Sequence, residues 1–193
     1  MRCLLCGKFS LKSVCRDCYL EFIIVAPLVR EMGDFRVISF FEYANIAPLL
    51  YAKYSKLGNR IYCLLAQAIV QSLKKRNVSL YGVCGVGVDD KIRHGYAHNA
   101  ILLRHLKQLG LQPLYQTLHA RNPISYAGKD LAFRQRNPRD FMIKREVRDK
   151  KIILVDDVIT SGLTLQQAKE CLETNGAQVL HAFVLADAST KGL

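Results

Sequence analysis

From residue 35 onward the apolar positions follow two spacings. Phe35 to Tyr43 is rich in aromatic and β-branched residues and reads as a strand. Leu80 to Val88, Lys151 to Val155 and Gln178 to Ala186 are short apolar runs of the kind that buried strands make, and Pro113 to Gln116 predicts one more short strand. Helical spacing falls between them: 46–56 and 60–75, separated by Gly58-Asn59; Tyr96 to Leu109, ended by Gly110; and Leu163 to Thr174, capped by Asn175-Gly176. The stretch from about residue 21 to 34 reads as moderately helical. Strands alternating with helices of this length predict an α/β fold, a parallel central sheet with helices on both faces. Between His119 and about Asp140 the pattern lapses into Arg, Asn, Pro and Gly. Long irregular segments inside compact domains are usually functional.

A chain of 193 residues suits one domain with a small appendage, and 50% hydrophobic residues suffice for a core. No run of 18 apolar residues occurs, and Met1-Arg2-Cys3 does not open a signal peptide, so a cytoplasmic protein is expected. The net charge of +12 favours polyanionic partners, whether nucleic acid, anionic lipid or a phosphorylated substrate. The excess is local: Arg121 to Lys151 holds ten Lys/Arg against four acids. Within it Lys129, Arg134, Arg136, Arg139, Lys144, Arg145 and Arg148 are candidates for tracking a phosphate backbone. Tyr126, Phe133 and Phe141, like the string Tyr51-Lys53-Tyr54-Lys56, could stack bases or belong to the core.

The densest chemistry lies in Ile152 to Thr164. An apolar strand leads to Asp156-Asp157, and in an open α/β sheet ligands sit outside the carboxyl ends of the strands. Two carboxylates there can accept hydrogen bonds from vicinal hydroxyls, as on a ribose. Thr160, Ser161, Gly162, Leu163 and Thr164 follow as a small, hydroxylated turn opening a helix, where backbone N–H groups converge on an anion. A P-loop is excluded, since no Lys follows the glycine, and a single glycine excludes a dinucleotide fingerprint.

Seven cysteines divide into two sets. Cys3-x₂-Cys6 and Cys15-x₂-Cys18 form two knuckles whose four thiolates complete a closed, structural Zn²⁺ site; a redox Cys-x-x-Cys reading would explain one pair but not two. Cys63, Cys84 and Cys171 lie singly in apolar surroundings and read as small core residues. The five histidines show no metal spacing and read as ordinary.

The string Ile152 to Thr164 resembles the phosphoribosyl pyrophosphate (PRPP) signature of type I phosphoribosyltransferases. The resemblance implies that Asp156 and Asp157 hold the ribose hydroxyls, that residues 160–164 bind the 5-phosphate, and that Mg²⁺ accompanies the pyrophosphate. Together with the cysteine module, the whole chain resembles the ComF family of competence proteins. Phe41-Glu42-Tyr43 with Leu50 to Tyr54, Ile92 to His98, and Leu118 with Arg121, Ser125, Leu131, Arg134 and Asn137 carry that likeness. Ala97, His98 and Gly128 depart from the family pattern, as does the turn Gly85 to Asp90, whose glycines would let backbone approach a pyrophosphate. Arg93 is a candidate clamp for that pyrophosphate and Arg121 a candidate contact from a mobile loop. The resemblance implies a zinc module at 1–20, a phosphoribosyltransferase-like domain at 21–193, and a role in natural transformation. That role is handling incoming single-stranded DNA in the cytoplasm, at the inner face of the membrane, beside a DNA channel or helicase. A salvage-type transferase acting on a nucleobase is the alternative.

Overall fold

The computed structural model describes residues 2–51, 53, 55, 57–88, 92, 95–122 and 131–189, with the side chains of Leu131 and Arg134 outside the description. Arg93, Lys129, Asp89, Asp90, Tyr54, Lys56 and Tyr126 lie outside the described residues, as does the Arg134 side chain.

The elements run α1 (Arg16–Phe22), β1 (Leu28–Met32), β2 (Phe35–Glu42), α2 (Tyr43–Tyr51), α3 (Gly58–Lys75), β3 (Cys84–Gly87), α4 (His98–Leu106), β4 (Gln112–Pro113), β5 (Leu118–Ala120), α5 (Leu131–Arg136), β6 (Phe141–Ile143), β7 (Lys151–Ile159), α6 (Leu163–Thr174) and β8 (Gln178–Asp187). A six-stranded sheet has the order β1-β2-β8-β7-β3-β4. All its pairings are parallel except that of β1 with β2. Period-two side-chain alternation along β7 divides the core. Ile153 and Val155 face α2, α3 and α4, while Ile152 and Leu154 face α6 with its Leu165, Ala168 and Leu172. The sheet thus has helices on both faces, the α/β fold with a mostly parallel central sheet that the sequence predicts.

Three local readings change. Residues 28–32 form an edge strand and not a helix, because Gly33 (φ +67°) turns the chain back as a hairpin onto β2. The irregular 119–140 region is the connection of a second hairpin, β5–β6, and its far part contains α5. Arg121 N–H to Asp140 O (3.0 Å) and Asn122 N–H to Arg139 O (3.2 Å) lace the base of that arm. Gly85 has a packing role that the sequence did not show: a Cβ there would stand 2.5 Å from side-chain atoms of both Leu103 and Leu111.

Connections fix where a ligand can sit. β3 runs through α4 to β4 in one direction across the sheet, and its neighbour β7 runs through α6 to β8 in the other. The reversal lies between β3 and β7, at the carboxyl ends of both.

Candidate functional site

β7 continues through Asp156 and Asp157 to Ile159, so the acid pair lies inside a strand and not in the turn after it. β8 accompanies β7 to its end, Ile159 opposite Asp187. On the other side β3 pairs only as far as Gly87 opposite Val155, and Val88 N–H donates to Val155 O at 2.9 Å. Asp156 and Asp157 therefore stand just beyond the last rung with β3, at the crevice where connections reverse.

The two carboxylates have different surroundings. Asp157 is 7% exposed. Its Oδ2 accepts from Lys53 Nζ (2.7 Å) and Tyr62 Oη (3.1 Å), and its Oδ1 from Val158 N–H (2.9 Å). His98 Nε2 lies 3.9 Å from Oδ2. Burial alone would raise this carboxyl. His98 and Lys53, with hydrogen bonds from Lys53 and Tyr62, hold it below the ordinary range. Asp156 accepts from the Asp157 N–H (2.9 Å) and, at 3.4 Å, from Asn99 Nδ2, all on Oδ1. Desolvation, then the neighbouring Asp157 charge, push its carboxyl up to about 8. Burial and the two acids also raise the Tyr62 hydroxyl, keeping it a hydrogen-bond donor.

Sequence reasoning missed most of these partners. Lys53, read within a basic-aromatic string as a candidate contact for a single strand, turns inward onto Asp157, and Tyr96 donates its hydroxyl to the Lys53 carbonyl. His98, read as ordinary, shares a cluster with both acids. Asn99 is fully buried at the start of α4 and also donates to Val88 O (2.8 Å). An amide at a buried helix position was a signal for it; nothing distinguished Tyr62 from a core tyrosine.

The turn after β7 opens α6 at Gly162, which has φ +83°. A Cβ there would stand 2.2 Å from Met32 Cε, so the turn needs glycine for both conformation and space. Its N-cap, Gly162, has no side chain to cap α6, and only a long contact from Leu163 N–H to Ser161 Oγ (3.5 Å) engages the first turn, which leaves helix-terminal N–H groups beside Thr160, Ser161 and Thr164 to meet an anion. Arg121 sits at the base of the β5–β6 arm in an exposed pair with Asp140 (3.8 Å). Arg136, Lys144, Arg145 and Arg148 are exposed and Arg139 half-buried. Phe141 packs against the α6-side core, and Tyr51 is exposed.

At the N-terminus the Cys3, Cys6, Cys15 and Cys18 sulfurs lie within 4.8 Å of one another. Gly7, at φ +72°, returns its N–H to Cys3 O (2.9 Å), closing the first knuckle. Burial would raise the Cys3 thiol, but N–H groups of Cys6, Cys15 and Leu5 bring it down to about 6. Burial and the crowd of neighbouring sulfurs raise Cys18. A divalent cation relieves that crowding, and four sulfurs at this spacing fit tetrahedral Zn²⁺. For Mg²⁺ the donor set at the acid pair also fits, since that ion takes one or two carboxylates and leaves its other positions to phosphate and water.

Residues 115–193 match the family model of the Phosphoribosyl transferase domain. The orotate phosphoribosyltransferase of Methanopyrus kandleri is 33% identical over 84 residues, 42% of this chain and 43% of that enzyme. That of Buchnera aphidicola subsp. Acyrthosiphon pisum is 25% identical over 64% of this chain and 66% of the enzyme. The chain thus spans less than half the length of the first of these relatives. Competence protein ComFC of Streptococcus pneumoniae is 25% identical over 182 residues, 93% of this chain and 78% of that protein. A solved hypoxanthine-guanine phosphoribosyltransferase of Bacillus anthracis aligns at 17% identity and TM-score 0.43, over 67% of this chain and 70% of that one, a likeness too distant to carry an argument.

Proposed function

Starting from a chain that is a ComFC homologue with a phosphoribosyl transferase domain, we propose that it binds PRPP or a related ribose 5-phosphate and acts in natural transformation on incoming single-stranded DNA. The observation that carries the ligand reading is the pairing, at one crevice, of the Asp156–Asp157 carboxyls with the start of α6, where glycine stands at the N-cap. Asp156, whose Oδ2 accepts no hydrogen bond among the described residues, takes the ribose hydroxyls. Asp157 holds Lys53 and Tyr62 in place around it. N–H groups and hydroxyls of Thr160, Ser161, Gly162, Leu163 and Thr164 take the 5-phosphate. Mg²⁺ on the pyrophosphate would be held at Asp156 and Asp157 and would neutralise phosphate charge there. Arg93 and Arg121 are proposed for the pyrophosphate side.

Titration calorimetry with PRPP and Mg²⁺ tests the ligand reading: the wild type binds, and an Asp156→Ala/Asp157→Ala double variant does not. No heat with the wild type rejects it. For the DNA reading, the exposed cations Arg136, Lys144, Arg145 and Arg148, with Lys129, Arg134 and Arg139, bind single strands in a cytoplasmic protein at the membrane's inner face, next to a channel or helicase. Affinity then falls steeply with salt, and charge removal at these positions flattens that slope. Base transfer is the second reading, favoured by the orotate phosphoribosyltransferases among the relatives. Pyrophosphate release from PRPP with each common base distinguishes it, and inactivity with all of them removes it.

A further inference from the structure

We propose that Arg30, on the edge strand β1, positions the phosphate-binding turn and supplies its positive charge, a role that rests on the ribose 5-phosphate reading above.

The turn from Thr160 to Thr164 contains no basic residue. Helix-terminal N–H groups offer about half a positive charge, whereas a phosphate monoester brings roughly −2 near neutral pH. A cation is wanted close to the turn, and Arg30 is placed there although 130 residues separate it from Thr160. Its Nη1 donates to Thr160 O at 2.7 Å. The same nitrogen reaches the Asp187 carboxylate (3.3 and 3.4 Å) and Ser189 Oγ (3.2 Å).

That anchorage is itself braced. Asp187, 8% exposed, closes the β8 ladder opposite Ile159, the residue before Thr160. It accepts from the Ser189 N–H (2.8 Å) and hydroxyl (2.6 Å). Two residues along β1, on the same side of the strand, Met32 fills the space left by the missing side chain of Gly162. β1 therefore covers the turn with two consecutive same-face side chains, one apolar and one cationic. All the hydrogen bonds of Arg30 among the described residues leave from Nη1. A guanidinium has five N–H donors, so Nε and Nη2 keep theirs. The side chain is 33% exposed, open enough for a ligand to meet it. A hairpin brace alone would need only the Asp187 pair; donation to the carbonyl of the turn ties the charge to the ligand site.

The test titrates ribose 5-phosphate into the zinc-loaded full chain and into its Arg30→Gln and Arg30→Lys variants. Charge-assisted hydrogen bonds of this kind predict a loss of about tenfold or more for Arg30→Gln. Arg30→Lys falls between it and the wild type, and the salt dependence of binding becomes shallower in Arg30→Gln. Binding by Arg30→Gln at wild-type affinity overturns the proposal, as does an equal loss in Gln and Lys variants with unchanged salt dependence. Should Arg30→Gln not fold, Arg30→Lys decides: weaker binding with the salt dependence kept supports the role and wild-type affinity rejects it. Absence of binding by the wild type is a separate result and rejects the ribose 5-phosphate reading itself.

Discussion

Adjacent in sequence, Asp156 and Asp157 are predicted to fail differently when altered. Asp157→Asn removes the charge that Lys53 pairs with and weakens the Tyr62 hydrogen bond, and loss of a partner in such a pair costs about 1–3 kcal/mol of stability. Asp156→Asn replaces a carboxyl that burial keeps largely protonated with a neutral amide of the same size and leaves the unliganded protein no less stable, while ribose 5-phosphate binding is lost. Urea denaturation and calorimetry on the two variants check both halves. The carboxyl of Asp156, raised to about 8, also gives a pH signature. Stability from keeping it protonated is complete below the ordinary carboxyl value of about 4 and is lost as pH rises. That loss ends above about 8. The wild-type urea midpoint should therefore decline from pH 5 to pH 8, and more steeply than that of Asp156→Asn. Identical profiles would show that Asp156 does not titrate in this window.

At the scale of elements, α6 and β8 were legible in the sequence nearly residue for residue, because a helix with a Gly cap and an apolar strand each follow local rules. β1 was not. Leu28 to Met32 has too few strand-forming residues to announce itself, and only its pairing across the Gly33 turn makes it extended. The same limit hid half of the site. The acids and the turn are contiguous, so their chemistry could be read along the chain. Lys53, Tyr62, His98, Asn99 and Arg30 arrive from four other elements or connections, and only the sheet order brings them together. Gly162 is where element and site meet, since its positive φ lets β7 turn into α6. Gly162→Ala forces a side chain into that conformation and onto Met32, at a cost of about 1–3 kcal/mol for the backbone. The expected outcome is a lower urea midpoint together with weakened ribose 5-phosphate binding; a variant that keeps both would mean the turn relaxes freely.

For the molecule as a whole, the question is whether the cysteine module is an appendage or part of the main body. Sequence favours the first answer, since some twenty residues cannot bury a core of their own. Packing argues for the second. Cys3, Val14, Cys18 and Ile23 are buried in the same cluster as Ile46, Leu49 and Leu65 of α2 and α3. Burying a residue the size of Val or Ile contributes about 1.5–3 kcal/mol, so displacing the module exposes apolar surface on both sides of the contact. A zinc site within it would then stabilise the whole domain, because ligand binding to the folded state adds directly to folding free energy. We expect one zinc ion per chain by elemental analysis and a lower melting temperature after chelation or in Cys18→Ser. For a chain of this size each kcal/mol lost corresponds to about 2–4 °C. The shift should appear in the single main transition. A separate early transition, with the main one unmoved, would instead assign the module to an independent unit and uncouple it from β1 and the Arg30 contact that follow it.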